Sequence, residues 1–514
     1  MSQRADLRRL SSRADPTVRR TKLFLLLKTI SLTRVTLALV VVSVVIQVVL
    51  GANLVVLALA MVSCVAGLLG FRIAGAYRSA AWLAFFFVLG NVIVALLAKT
   101  VLFQRLDSNL YVPLESFAIL AVGSVVLLIA LLISLIIPVG KPLFRSVQNP
   151  RLLQFLSHST FALGTLFWYL TRVFQDPEGS GFGGVFVFWN LLLMAVIART
   201  AMVLERTDGR RSIDAALVLI LFGCVVMGLI DNSKTEVALP IMAYLATSVF
   251  YRRGLTRGQS VAGALGIVLM AAVIGPMIHA YRALGIHDMP WRERAALMER
   301  GVTDALVHGD VKFYRQVVSE VASLDFGSGY YDYFGKGSGQ MLLGRYASIQ
   351  QIDPVIATVN RRGFRGGSVI WPAFPRLLPT FVYPNKPRDM ESLVLLVQLG
   401  IMDPEGNKYP TVPLLAQSYA GYGITGVLVI PFLVFVGFLL ALKKLGWNLH
   451  RNVFAIFFLC VFLVVYANQG DLGQYAEAVL RSFPLLAATL WLVSRRYRGR
   501  GSTNDEARQD PAQP

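Results

Sequence analysis

The sequence predicts an all-α, polytopic transmembrane helical bundle, and three observations predict it. Of 514 residues, 55% are hydrophobic and only 15% charged, with a mean hydropathy of +0.61, a balance too apolar for a water-soluble protein to cover its own surface. Apolar runs recur that reach the roughly 20 residues needed to cross about 30 Å of hydrocarbon at about 1.5 Å per residue. Lys and Arg fall mainly in short clusters between those runs, the pattern that retention of cations in the cytoplasm produces.

Taken in chain order, residues 1–34 carry Arg4, Arg8, Arg9, Arg13, Arg19, Arg20, Lys22, Lys28 and Arg34. This is too long and too basic for a cleaved signal peptide and reads as a cytoplasmic tail against the inner leaflet. Twelve spans are expected, at 35–51, 53–71, 79–98, 114–138, 153–173, 185–204, 213–231, 236–251, 260–281, 419–442, 452–468 and 478–494. The first two form one apolar block, divided at Gly51-Ala52-Asn53, where a turn fits.

With the N-terminus inside, the inner loops hold Arg72 and Arg78; Lys141, Arg145 and Arg151; Arg206, Arg210 and Arg211; Arg252, Arg253 and Arg257; and Lys443, Lys444 and Arg451. The basic run 495–500 also falls inside, whereas the short outer loops offer little beyond Lys99, Arg105 and Lys234. Both termini are therefore expected in the cytoplasm, with an even number of spans in a bacterial cytoplasmic membrane. The divisions are a basic tail over 1–34, spans one to nine over 35–281, a large outer loop over 282–413, the last three spans over 414–494, and a basic then irregular tail over 495–514.

The net charge of +20 is spread among these loops rather than along one soluble face, which argues for anionic lipid headgroups and against nucleic acid. Cys64, Cys224 and Cys460 each sit inside an apolar run without metal or redox spacing and read as core residues. His158, His279, His287 and His308 form no pair with ligand spacing, and neither GxSxG nor HExxH occurs.

Most of the extramembrane mass lies in 282–413. Residues 291–324 have helical spacing with an apolar face, suited either to the loop's own core or to the membrane surface. Residues 327–339 are Gly- and Tyr-rich and match no phosphate-binding fingerprint. The most informative segment is 361–388, where Arg361, Arg362, Arg365, Arg376, Lys386 and Arg388 interleave with Trp371, Phe374, Tyr383 and several prolines. Cations on the outer side run against the topological bias and need a separate cause. Guanidinium groups bind phosphate oxygens bidentately and aromatic faces stack on sugar rings, so a lipid-linked diphosphate sugar supplies both targets. The alternative is a solvated loop whose cations pair with Asp389, Glu391, Asp403 and Glu405. Within the spans, Arg199 is expected to snorkel to the cytoplasmic interface, while Arg172 and Arg282 are placed to help line an outward-facing anion site.

The layout, with Tyr383-Pro384-Asn385-Lys386-Pro387 in the loop and Gln417-Ser418-Tyr419-Ala420-Gly421-Tyr422-Gly423-Ile424-Thr425-Gly426 entering the next span, resembles the O-antigen or oligosaccharide repeat-unit polymerases. That family carries a "P-x-K-P" region followed by an "E-x-Y-x-x-F-G-x-x-G" entry; here Gln417 stands for the acidic residue and Tyr422 for Phe. An amide cannot act as a base, so any such role is lost at Gln417. The resemblance implies a GT-C-like glycosyltransferase that joins oligosaccharide repeat units carried on polyprenyl diphosphate at the outer face of the cytoplasmic membrane. No Asp-rich metal motif occurs, so catalysis with no cofactor and no tightly bound divalent ion is expected; the partners the resemblance implies are the lipid-linked oligosaccharide, membrane lipids, a chain-length regulator and a flippase. Arg361, Arg362, Arg365, Arg376, Lys386 and Arg388 are then expected at the diphosphate, and Trp371, Phe374, Tyr383 and Tyr419 at the sugar. Asp332, Asp353, Asp389 and Glu391 are the loop carboxylates available to deprotonate the acceptor, with Asp389 counted in the catalytic set. A flippase or other multi-span transporter is the alternative reading.

Overall fold

The computed structural model describes residues 16–173, 186–231, 233–251, 347–377, 391–401, 411–463 and 470–505, with scattered single positions between them that include Tyr333 and Phe334. The described residues are helical, with no strand and one isolated bridge between Arg78 and Asn448. Seven of the helices are long and apolar enough to cross a membrane.

Helix α1 (Pro16–Val49) opens on proline, whose missing N–H would have had no partner in a first turn. The basic arm is thus helical from residue 16 and continuous with the first apolar run, because its Leu, Lys and Arg residues are good helix formers. The chain then turns through Gly51, at φ 76°, and the Asn53 side chain accepts the N–H groups of Val55 and Val56 to open α2 (Leu54–Ala74). Helix α3 (Ser79–Val101) carries a π turn at Leu89–Ile93. It approaches α2 closely, since a side chain at Gly67 would strike Val88.

Helices α4 (Pro113–Ile136) and α5 (Pro150–Val173) follow, then α6 (Leu191–Arg206), α7 (Ala215–Ile230) and α8 (Lys234–Tyr251). At about 1.5 Å per residue the 16 residues of α7 span roughly 24 Å, short of the hydrocarbon thickness, and α8 and the later Val453–Phe462 are also below the length of a full span. The expected ninth span, 260–281, and the expected helix over 291–324 lie almost wholly outside the described residues.

Three short helices follow in the loop: α9 (Ile349–Arg362), α10 (Ala373–Leu377) and α11 (Glu391–Gln398). Helix α12 (Leu414–Leu445) then returns through the bundle, followed by α13 (Val453–Phe458), which continues as a π turn to Leu463. Helix α14 (Leu472–Glu477) passes through a π turn, Ala478–Ser482, into α15 (Phe483–Asp505). The last helix runs five residues into the tail expected to be irregular from residue 501.

Hydrogen bonds sort the connections to two ends of the bundle. At one end Ser79 N–H donates to Trp447 O (2.9 Å), Leu449 N–H to Tyr77 O (2.7 Å) and Leu143 N–H to Lys444 O (2.8 Å). There Lys443 Nζ donates to the carbonyls of Ser134, Leu135 and Ile137, neutralising the negative C-terminus of α4. This end holds Arg78, Lys141, Arg206, Lys443, Lys444 and Arg451. At the opposite end Gln47 bonds Thr100 and the backbone of Gln104 and Leu106, and the loop helix α9 docks. Arg199, expected to reach the interface, pairs at 2.5 Å with Asp214, the residue that caps α7. Cys64, Cys224 and Cys460 are all buried.

Candidate functional site

Asp353 fixes the loop on the bundle. It is fully buried in α9 and accepts Tyr111 N–H (2.7 Å), Val112 N–H (3.0 Å) and the Ser116 hydroxyl (2.9 Å), the donors that open α4. Burial pushes this carboxyl above its ordinary range. With both oxygens engaged, Asp353 is an anchor, and a substrate hydroxyl has no access to it.

Helix α9 ends at Arg362, and Gly363, at φ 85°, turns the chain outward with its N–H on Val359 O (2.8 Å). Arg365 N–H then donates to Ala420 O (2.8 Å), which ties the loop to α12. That contact falls beside a break in α12: Tyr422 (φ −140°, ψ 20°) and Gly423 (φ 62°, ψ −145°) leave the helical region, the second in a conformation nearly exclusive to glycine. The ring of Phe364 fills the space beside Gly423, close enough that a Cβ there would lie 2.9 Å from it. Phe364 also meets Tyr419 edge-on at 5.7 Å, and the Tyr419 hydroxyl donates to Asn360 Oδ1 (2.8 Å). The described part, 361–377, of the segment 361–388 singled out in the sequence is therefore one structural unit with 417–426.

Arg362 donates to Leu399 O (2.6 Å) and Arg365 to Gln398 O (3.2 Å), so both guanidinium groups face the negative C-terminus of α11. Gly400, at φ 64°, leaves the room that the Arg362 guanidinium occupies. Each arginine has five N–H donors, and Arg365 Nε is buried with no partner among the described residues. Arg361 is exposed and rests on Ala357 O (3.1 Å) of its own helix. Beside these cations four aromatic rings face outward: Phe364 (58% exposed), Trp371 (69%), Phe374 (50%) and Tyr422 (47%). Trp371 and Phe374 stand 6.1 Å apart. Arg376 lies on α10, while Arg282, Tyr383, Lys386, Arg388 and Asp389 are outside the described residues.

No family model, curated protein or solved structure matches this chain.

Arg172 does not join the loop arginines. Its guanidinium lies 2.5 Å from Asp231, with both side chains buried, and Trp168 Nε1 donates to the other Asp231 oxygen (2.6 Å). The expected anion-lining residue is thus neutralised, because an ionised arginine at that depth requires a counter-charge. Gln417 has a structural role as well, accepting Leu472 N–H (2.8 Å) at the start of α14. Among the described residues no three His, Cys, Asp or Glu side chains converge to hold a metal ion. Phe364 and Tyr422 were not singled out as ligand contacts from sequence; their exposure follows from the break at Gly423, which only the glycine itself announces.

Proposed function

We propose that this chain is a repeat-unit polymerase: a GT-C-like glycosyltransferase of about twelve spans that elongates polyprenyl-diphosphate-linked oligosaccharides at the outer face of a bacterial cytoplasmic membrane. The observation that carries the reading is the cation and aromatic surface of 361–377 packed on the interrupted α12. A diphosphate is already a good leaving group, so fixed guanidinium donors aimed at its oxygens supply stabilisation as negative charge builds in the transition state. Arg361, Arg362 and Arg365 are held by backbone carbonyls and keep further donors for the phosphate oxygens. The outward rings of Trp371 and Phe374 offer stacking faces to sugars. Arg376, Lys386 and Arg388 extend the same cationic segment in sequence.

The test is elongation by the purified chain reconstituted with labelled lipid-linked repeats. The wild type yields a ladder of longer chains; Arg365→Gln lowers the elongation rate by about 100-fold and Arg365→Lys by less, since a single donor is not a fork. An undiminished ladder from Arg365→Gln overturns the assignment. Exhaustive chelation leaves the ladder intact under this reading.

A flippase is the second reading, favoured by the buried Arg172–Asp231 pair and the interrupted helix, features also found along transport pathways. Movement of the labelled lipid across the bilayer without elongation supports it.

A further inference from the structure

Apart from the loop surface, the bundle forms a partly open cavity of about 260 Å³ between α5, α6, α7, α8 and the π turns that follow α13 and α14. Both π turns supply its wall, through Val461 and Phe462 of one and Ser482 of the other, and such turns commonly widen helices at ligand sites. Trp168 and Trp189 offer indole faces, and Asn190, Thr235, Glu236 and Glu477 bring polar groups. Glu477 ends α14, the helix against which α10 of the arginine segment packs, so cavity and loop surface share an element. Thr235 is exposed, which puts one edge of the cavity at the surface on the end of the bundle where α7 turns into α8.

The lining selects among ligands. A bare hydrocarbon tail would engage the apolar walls but none of the polar groups of Asn190, Thr235, Glu236 and Ser482. A cation would compete with arginines already in place: Arg481 pairs with Glu477, and Arg172 pairs with the Asp231 on which Glu236 abuts. A neutral polyol donates hydroxyl hydrogens to carboxylate oxygens, accepts from amide N–H, and lays its C–H face on indole. The volume lies just below the roughly 300 Å³ at which drug-sized pockets begin, which suits one ring rather than a chain of rings.

We infer that this cavity is a binding site for a single neutral hexopyranose ring, with Trp168 and Trp189 as stacking faces and Glu236 and Glu477 as hydroxyl acceptors. As a sugar site it stands on the lining alone; its use for the terminal ring of the acceptor chain rests on the polymerase reading.

Cys224 lines the same cavity and reports its occupancy. The full chain carrying Cys64→Ala and Cys460→Ala is reacted with methyl methanethiosulfonate, alone and with methyl glycosides of glucose, galactose, mannose, rhamnose and N-acetylglucosamine. At least one glycoside slows the reaction saturably, by roughly fivefold at a concentration about four times its Kd. Hexylammonium at equal concentration leaves the rate within about twofold. Glu236→Gln, with each rate referred to that variant's own unliganded rate, raises the half-protecting glycoside concentration about fivefold, the loss expected when one accepting oxygen becomes an amide donor. An unreactive Cys224, protection by no glycoside, equal or better protection by hexylammonium, or unchanged protection in Glu236→Gln overturns the site. Protection in a wild type that makes no ladder leaves the sugar site standing and removes the polymerase; a ladder without protection removes this site alone.

Discussion

Glycine at position 423 does something no other residue type does here: it holds φ 62° and ψ −145° in mid-helix while an aromatic ring occupies the space of its missing Cβ. Gly423→Ala is expected to cost about 1–3 kcal/mol in backbone strain, with the Phe364 ring displaced as well. Thermal unfolding in detergent should show that loss, and elongation should fall further than stability, because Phe364 and Arg365 are adjacent and Arg365 N–H is tied to Ala420 O. Wild-type elongation in Gly423→Ala would separate the break from the site. Composition alone drew attention to Arg361, Arg362 and Arg365, since outer cations are unusual. It gave no sign that Arg362 and Arg365 rest on carbonyls 37 and 33 residues away. Nor did it mark Asp353 as an anchor rather than a base, for its donors lie more than 230 residues earlier.

Between elements, energetic differences follow from which donors lose their acceptor. Asp353→Ala removes three hydrogen bonds between α9 and the start of α4, and at about 1 kcal/mol each the loss should approach 3 kcal/mol. Ser116→Ala removes one and should cost about 1 kcal/mol, so chemical denaturation of the two variants should be graded. Equal losses would mean that the anchor is not shared as the geometry has it. The α5–α7 ion pair gives a second contrast. Arg172→Met leaves Asp231 and the neighbouring Glu236 without their cation and should cost about 3–5 kcal/mol, whereas Arg172→Met with Asp231→Asn should recover part of it. An additive double variant would show no coupling. Helix positions were legible because hydropathy sets span length, and α2, α3, α4 and α12 lie close to the expected segments. The π turns and the Arg172–Asp231 pair were not, because a π turn changes no residue type and the pair joins positions 59 residues apart.

At the scale of the molecule, charge and hydrogen bonding agree on one axis. Lys443 and Lys444, Arg78 and Arg451 lie at the end where the turns around 75–78, 137–149 and 446–452 meet, and the arginine segment docks at the other. Under the orientation we propose, retention of cations in the cytoplasm places the first end inside and residues 361–377 outside. The sequence showed this alternation, since each cluster sits between apolar runs; it did not show that the clusters converge, because that depends on helices of unequal length packing in register. All three native cysteines are buried, so replacing them with alanine gives a chain in which a single introduced thiol reports its side. Ser368 is exposed on the arginine segment and Arg210 is exposed between α6 and α7. In intact cells a membrane-impermeant maleimide should label Ser368→Cys fully and Arg210→Cys only after permeabilisation. The reverse pattern would put the guanidinium groups on the cytosolic side, where an outer-face polymerase has no substrate, and would leave the buried anchor at Asp353 as a feature of the fold alone.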